Sequence, residues 1–434
     1  MALTRRKLLA GGAAAAAGAA LAGCGDRDAN GTGATTATGA RGRGAGAAQA
    51  PEDLSTWAGV RRELPLDPRI RSFSAFLLAP HPRPVRAAIE HHRALLDLDP
   101  EGYLRSGEGR ADPAGAAARY LCGGRDDIAL TTSTTMSLAI LYRALRLRPG
   151  EEILSTVHDH FATDESLRLA GGRVRRVRLY GPRDPATAST DEIASRLHAA
   201  IRPRTRAVAI TWVHSSTGVK LPMDEIGRVV REAGERRGRK VLLCVDGVHA
   251  LGAEDVRISD PTHPGIDFFA AGCHKWLMGP RGTGLVWATP AAWQRVTPVI
   301  PTFASAQAPG PLHTPGGFHS FEHRWALAQA FGFQRAVGPA RIQARVRTLA
   351  ARLRRGLAGL GGVRVITPPG ALMAALVMVD LANAPAEQVV AELRSAGIAT
   401  SVPPYEQRYV RFGTQVTLSG ADVDAAVRAV RRLA

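Results

Sequence analysis

Lysine is almost missing from this 434-residue chain. Of 56 basic residues only Lys7, Lys220, Lys240 and Lys275 are lysines, and arginine supplies the rest. Arginine cannot form an imine with an aldehyde, so any chemistry that needs a lysine amine falls on one of four positions. Cysteine is scarce too. Cys24, Cys122, Cys244 and Cys273 include no C-x-x-C pair and no metal-ligand spacing, which excludes a disulfide framework. Cys244 sits inside an apolar run and reads as a core residue. Internal repeats are absent. The net charge of +18 raises the question of nucleic acid. The arginines are scattered, however, and no recognised nucleic-acid module accompanies them, so the excess is compositional and no such partner is expected. Hydrophobic residues make up 45% and charged residues 22%, enough for an ordinary globular body with a sizeable core.

The first fifty residues read as an address. Residues 1–24 place Arg5, Arg6 and Lys7 before an apolar stretch that ends in small residues. That is a secretory signal, and its paired arginines resemble the twin-arginine export signal. Leu21-Ala22-Gly23-Cys24 resembles a lipobox, which would make Cys24 a lipidated first residue; a plain cleaved signal with a chance cysteine is the alternative. The stretch is short and weakly apolar for a transmembrane helix, with an uncleaved anchor as the other reading. Residues 25–50, rich in Gly, Ala and Thr, read as a flexible tether. The expectation is an extracytoplasmic protein, exported already folded, that touches the membrane only through a lipid on Cys24.

The body alternates helical patterns with short apolar runs. Strands are expected at 127–131, 152–157, 174–179, 206–213, 241–245, 267–271 and 284–288. Helices are expected at 113–121, 134–147, 161–170, 190–201 and 223–236. Single helices between strands imply right-handed crossovers and an α/β fold with a mostly parallel sheet. Ligands in such sheets bind beyond the carboxyl ends of the strands. After Pro309-Gly310-Pro311 the texture changes. One long helical run over 323–357, strands near 363–366, 372–379 and 409–412, and helices at 386–396 and 422–433 suggest a small α+β domain. The domain reading is therefore 51–320 for an N-terminal segment and large domain, and 321–434 for a small one.

Five motifs follow strand ends. Phe268-Phe269-Ala270-Ala271-Gly272-Cys273-His274-Lys275-Trp276 puts a lysine just past a buried strand, where desolvation would lower its pKa. Val241-Leu242-Leu243-Cys244-Val245-Asp246-Gly247-Val248-His249 leaves a carboxylate at a strand end. A buried carboxylate needs a partner, and both a cationic ring nitrogen and a helix cap would serve. Thr131-Thr132-Ser133-Thr134-Thr135 opens a helix, which suits a phosphate or an ordinary N-cap. His158-Asp159-His160 offers two imidazoles; without a third ligand nearby, stacking on an aromatic ring is preferred to a metal, and none is expected. His214-Ser215-Ser216-Thr217-Gly218 places hydroxyls after another strand.

The combination of Asp-Gly-x-His, His-Lys-Trp and the threonine cluster resembles the class V aminotransferase family of fold-type I pyridoxal-phosphate (PLP) enzymes, from about residue 65 to the end. The branch it is most similar to is the isopenicillin-N-epimerase-like and C–S-lyase-like one. The resemblance implies PLP as cofactor and Lys275 as its Schiff-base lysine. It implies Asp246 as partner of the pyridine nitrogen, with His249 and Ser215 near the ring oxygen. His160 would be the ring-stacking histidine, with His158 as the fallback. Thr134, Thr135 and His274 resemble phosphate ligands, and Arg411 resembles the arginine that grips a substrate carboxylate. Two departures stand out: Gly272, where relatives often carry a hydroxyl, and no Gly-Thr pair in Phe318-His319-Ser320-Phe321-Glu322-His323-Arg324. Cysteine desulfurases use a mobile C-terminal cysteine to accept sulfur, and here no cysteine follows Cys273. The resemblance thus implies a homodimeric enzyme acting on a small amino-acid-like substrate by aminotransferase- or epimerase-type chemistry at the α-carbon. A C–S or β-lyase, or a ligand-binding lipoprotein without catalysis, are the alternatives. Residues 71–86 and 403–408 are expected to set specificity.

Overall fold

A computed structural model describes residues 52–107, 110–181, 184–258, 265–303 and 308–434. The segments read above as an export signal and a tether, with Cys24, lie outside the described residues. Residues 50–434 form one unit.

Strand β1 (Arg71–Ser72) belongs to the N-terminal segment. Seven strands then build the main sheet: β2 (Ile128–Thr131), β3 (Glu152–Thr156), β4 (Arg173–Val177), β5 (Thr205–Thr211), β6 (Leu242–Asp246), β7 (Phe268–Gly272) and β8 (Gly284–Ala288). Their order is β2-β8-β7-β6-β5-β3-β4. All run parallel except β8, which is antiparallel to both neighbours. The expected strands are present, with ends shifted by one or two residues.

The central strands are apolar on both faces because helices cover both. Ala207, Ala209, Leu242, Cys244, Phe268 and Ala270 point to one side, against Leu138, Leu141, Tyr142 and Leu167. Those four come from helices Thr134–Ala144 and Phe161–Ala170. Val208, Ile210, Leu243, Val245, Phe269 and Ala271 point to the other side, against Ala117, Leu121, Ile193, Leu197, Ile226, Val230, Leu327 and Phe331. The two-residue alternation of side chains turns each apolar run into two half-cores.

The long run expected over 323–357 is two helices, Phe321–Val337 and Pro339–Ala358. Gly338 breaks it with φ +95, and Pro339 has no N–H to continue the ladder. The first helix packs on the main sheet. The second joins a smaller core with Ala386–Ser395 and Gly420–Arg431, over the antiparallel sheet of β9 (Val363–Val365), β10 (Leu376–Leu381) and β12 (Val410–Gly413). Strand β11 (Ile398–Ala399) pairs in parallel with β1, which ties the N-terminal segment to this smaller layer. Among the described residues no helix is long and apolar enough to cross a membrane.

The segment after β1 meets the turn after β7 at the carboxyl end of the main sheet, where Ala79 N–H donates to His274 O at 3.0 Å. One glycine there is sterically required. Gly252 has φ +84, and a Cβ on it would lie 2.3 Å from Leu277 N and 2.5 Å from the Trp276 carbonyl carbon. Gly252→Ala is expected to cost about 2–4 kcal/mol, since both the left-handed backbone and the contact must yield. Urea denaturation measures this. An unchanged midpoint would mean the 252 and 276–277 backbones are not in contact.

Candidate active site

Six parallel strands end at one edge, and the sequence motifs gather there. Asp246 is the last residue of β6 and is buried. Val248 N–H donates to Asp246 Oδ1 at 3.0 Å. Burial pushes its pKa up, while Lys275 pulls against that rise. Lys275 follows β7 and is half-buried. Burial lowers its pKa, Asp246 opposes that, and Arg411 adds to it. Nζ of Lys275 has no hydrogen bond or ion pair within contact distance among the described residues.

The turn that presents Lys275 is held at several points. Cys273 N–H donates to Thr283 O, Gly279 N–H to Cys273 O, and Met278 N–H to Lys275 O, at 2.8–3.0 Å. Gln334 Nε2 donates to Trp276 O at 2.9 Å. Met278 is held at φ +61, a conformation a non-glycine residue keeps only when its surroundings dictate it.

His249 accepts a hydrogen bond from Trp276 Nε1 at 3.3 Å through Nδ1. Burial first, then Lys275 and Arg411, push its pKa far down, so it is neutral with the hydrogen on Nε2. His160 caps helix Phe161–Ala170, and its Nδ1 accepts from Ala162 N at 3.2 Å. Burial, with help from Lys275 and Arg411, lowers its pKa to about 4. Its ring is fixed in plane, close enough to Lys275 to feel its charge.

His158 is corrected as a fallback for the stacking role. Its ring lies on Tyr180, with centroids 3.8 Å apart and planes within 11°, and Leu179 N donates to its Nε2 at 3.3 Å. With one face on Tyr180 and Nε2 engaged by the Leu179 N–H, the buried ring is held in the core. Nor does the His158–His160 loop form a metal site: among the described residues no group of three His, Cys, Asp or Glu is placed to hold one.

The threonine cluster divides its labour. Ser133, not a threonine, caps the helix by accepting from Met136 N at 3.1 Å. Thr134 and Thr135 then occupy its first two positions, where N–H groups have no helical partner. Thr134 Oγ1 accepts from Gly272 N at 2.8 Å. A Cβ on Gly272 would sit 2.8 Å from that hydroxyl and 3.4 Å from His274 Cε1. The departure at Gly272 thus has a physical reason, because Thr134 already fills the space a residue-272 side chain would take. With His274 opposite, these groups form a small cradle suited to an anion.

Ser215 follows β5 and shares a 2.5 Å hydrogen bond with the hydroxyl of Tyr405. Arg411, on β12, is 6% exposed. Its guanidinium donates to Ser401 Oγ at 3.1 and 3.4 Å and lies 4.1 Å over the Phe76 ring. Among the described residues it has no carboxylate partner. Burial lowers its pKa to about 10. The segments 71–86 and 403–408 therefore both reach the site, through Phe76 and Tyr405.

Sequence reasoning missed Asp159 and Tyr405. Asp159 is buried and accepts from Ser155 Oγ, Thr156 N, Thr156 Oγ1 and Thr211 N at 2.8–3.0 Å. It fastens the ends of β3 and β5 together and holds the loop that presents His160. Its only sequence signal was its place between two histidines.

The residues fit PLP on their own chemistry. An unpartnered lysine amine, a buried carboxylate with one backbone donor, and an anion cradle meet at one sheet edge. A family model for aminotransferase class-V matches residues 116–404. The chain belongs to the class V aminotransferase family. It is a PLP-dependent enzyme with the fold-type I α/β architecture. Isopenicillin N epimerase of Streptomyces clavuligerus is 30% identical over 342 residues, 73% of this class V chain and 81% of that protein. A probable cysteine desulfurase of Mycolicibacterium paratuberculosis is 27% identical over 332 residues, 71% and 46% of the two chains. Among solved structures, a C-DES mutant with glycine covalently linked to its PLP cofactor superposes with a TM-score of 0.76 at 18% identity, covering 86% of this chain and 98% of that one. The cysteine desulfurase CsdA of Escherichia coli gives 0.73 at 20%, covering 87% and 98%.

Two outcomes follow for this class V enzyme. Asp159→Ala strands four donors, two of them backbone, and is expected to lower stability by about 3–5 kcal/mol and weaken PLP retention. Asp159→Asn, which keeps an acceptor, should lose less. Equal losses in calorimetry would contradict the hydrogen-bond account. The second outcome concerns pH. His158 and His214 have pKa values lowered to about 3 by burial. A depressed histidine pKa means the unfolded chain binds more protons below 6.5, so stability is full above 6.5 and declines as pH falls toward 3. Each contributes roughly 1.4 kcal/mol per pH unit in that window. Asp246, with its raised pKa, acts in the opposite sense with one proton. The urea midpoint should therefore drop between pH 7 and pH 5; a flat profile would show these imidazoles are not kept neutral.

Proposed function

We propose that this enzyme removes and returns the α-proton of a small amino acid, in epimerase-type chemistry. The observation that carries the reading is Arg411, a buried guanidinium without a carboxylate partner, facing the same space as the unpartnered amine of Lys275. A planar fork of donors matches a substrate carboxylate two oxygens at a time. With that end held, the α-carbon would lie within reach of Lys275.

Lys275 would carry the cofactor. Asp246 would hold a proton on its ring nitrogen, and His160 would cover the ring. His249 and Ser215 would reach the ring oxygen, while Thr134, Thr135 and His274 would take the phosphate. Bound PLP supplies an electron sink for negative charge at the α-carbon. Lys275, once free, is a general base with a lowered pKa, suited to take a proton near neutral pH. Tyr405, fastened to Ser215, would cover the site from the smaller layer.

Sulfur transfer is disfavoured. No cysteine follows Cys273, and Cys273 is buried with its pKa pushed up to about 12. The likeness to isopenicillin N epimerase supports return of the proton to carbon. Transamination uses the same residues and differs only in where the proton goes back.

The test is solvent exchange. The PLP-loaded enzyme in heavy water should place deuterium at the α-position of a cognate amino acid and change its chirality, read by NMR and chiral chromatography. Lys275→Ala should abolish exchange, about 1,000-fold or more. Arg411→Lys should raise KM about tenfold to 100-fold with a smaller change in kcat. Borohydride should fix pyridoxyl on the Lys275 peptide. Full exchange in Lys275→Ala would sink the reading. Amino-group transfer, or sulfide release, without α-epimerisation would move the enzyme to another reaction of its family. A coloured protein that turns over nothing would favour a ligand binder.

A further inference from the structure

Some of the arginines scattered along the sequence converge in the fold. At the amino-terminal end of the main sheet, opposite the site above, a cavity of about 380 Å³ is lined by Arg146, Arg148, Arg206, Arg239, Lys240 and Arg295. Its only carboxylate is Glu151. The elements dictate this convergence. Arg206 stands at the start of β5, Arg239 and Lys240 lead into β6, and Glu151 precedes β3. Arg146 and Arg148 leave helix Thr134–Ala144, and Arg295 leaves the short helix Pro290–Trp293.

Internal pairing accounts for two of the six cations. Lys240 Nζ is 3.0 Å from Asp267, and Arg239 Nη1 is 3.9 Å from Glu151 while Nη2 donates to Thr205 O at 2.8 Å. Even so, Arg239 Nε is buried without a partner. Among the described residues, the side chains of Arg146, Arg148, Arg206 and Arg295 make no hydrogen bond or ion pair. Arg206 is half-buried, and burial together with Arg295 and Arg239 works against its charge, only partly offset by Glu151. Arg146 is held at φ +44, a left-handed conformation unusual for a side-chain-bearing residue. Water screens Arg146, Arg148 and Arg295, which are exposed, but converging like charges still repel, and a bound anion relieves that cost. Elsewhere in this chain arginines are commonly paired with carboxylates, as in Arg83–Glu63 and Arg175–Glu152.

We infer that this cavity is a binding site for a compact oligophosphate. Guanidinium forks match phosphate oxygens two at a time, and four unpaired ones suit several linked phosphates better than one. The volume falls in the range of small-molecule sites. The remaining lining residues are Ala144, Leu145 and Thr297, with no aromatic ring to stack a base. Recognition therefore reads charge and not a nucleobase. The five-residue strands between put the cavity roughly 17 Å from the catalytic edge. Binding there leaves the catalytic residues untouched.

Titration calorimetry of the full-length, PLP-loaded enzyme with tripolyphosphate at fixed ionic strength tests this. One site per chain is expected. Arg295→Glu, a change at an exposed position, should weaken binding about tenfold or more, and Arg206→Ala about tenfold. The absorption of the bound cofactor should not change in either variant. Vesicles containing phosphatidic acid, used as competitors, separate the two sources of clustered phosphate: displacement identifies a lipid headgroup, no displacement a free ligand. Unaltered affinity in Arg295→Glu would overturn the inference. So would cofactor loss on adding tripolyphosphate, which would put binding at the catalytic cradle. Equal competition by duplex DNA at matched phosphate concentration would also overturn it, by showing diffuse attraction to a basic protein.

Discussion

The structure depends on keeping opposite charges at one buried sheet edge without letting them neutralise each other. Asp246 and Lys275 each suffer from burial, in opposite directions of pKa, and each relieves the other. Left alone, such a pair collapses into a contact ion pair or a shared proton. It does not collapse here because the two residues are fastened separately. Val248 N–H holds the carboxylate, and the Cys273–Thr283 and Gln334–Trp276 bonds hold the turn that carries the amine. The space between them is what an aromatic cofactor with a basic nitrogen and an aldehyde can use.

That separation reaches into the fold. Parallel strands β6 and β7 are adjacent, so their ends lie side by side, and the reversed strand β8 starts where β7 ends, which keeps the 273–283 turn at that edge. Asp159 ties β3 to β5 across the next gap. Its four donors come from two strands, so the loop bearing His160 cannot move without breaking them. The smaller layer adds Arg411 and Tyr405 from above. Because β1 pairs with β11, the N-terminal segment is tied to that layer, and Phe76 lies beneath Arg411.

Much of this was legible in the sequence. The strand ends and their motifs were readable because each apolar run stops at polar residues, and ligands of such sheets bind beyond the carboxyl ends of the strands. Lys275 stood out because lysine is so scarce. What was not legible depended on contacts between distant segments. Nothing near Asp159 announces that Thr211 N–H will point at it. Tyr405 sits in a loop without periodicity, and its role exists only because Ser215 lies 2.5 Å away. The break at Gly338 was hidden by strong helical composition on both sides of a Gly-Pro pair. The Arg-lined cavity was invisible for a related reason: its members are spread from residue 146 to residue 295, and composition alone made them look like background.

The same abundance of arginine explains how protons are managed at the catalytic edge. Arg411 lowers the pKa of Lys275, His160 and His249 through its charge alone. It can do so because it does not deprotonate and because Ser401, its hydrogen-bond partner, is neutral. A carboxylate in place of Ser401 would cancel that field. A substrate carboxylate arriving at Arg411 would cancel it too, and the pKa values of the three neighbours would rise together. Substrate binding and proton affinity are therefore coupled through one guanidinium. An amine whose pKa burial and the Arg411 charge have lowered regains basicity once substrate is in place, when a proton has to be taken from carbon.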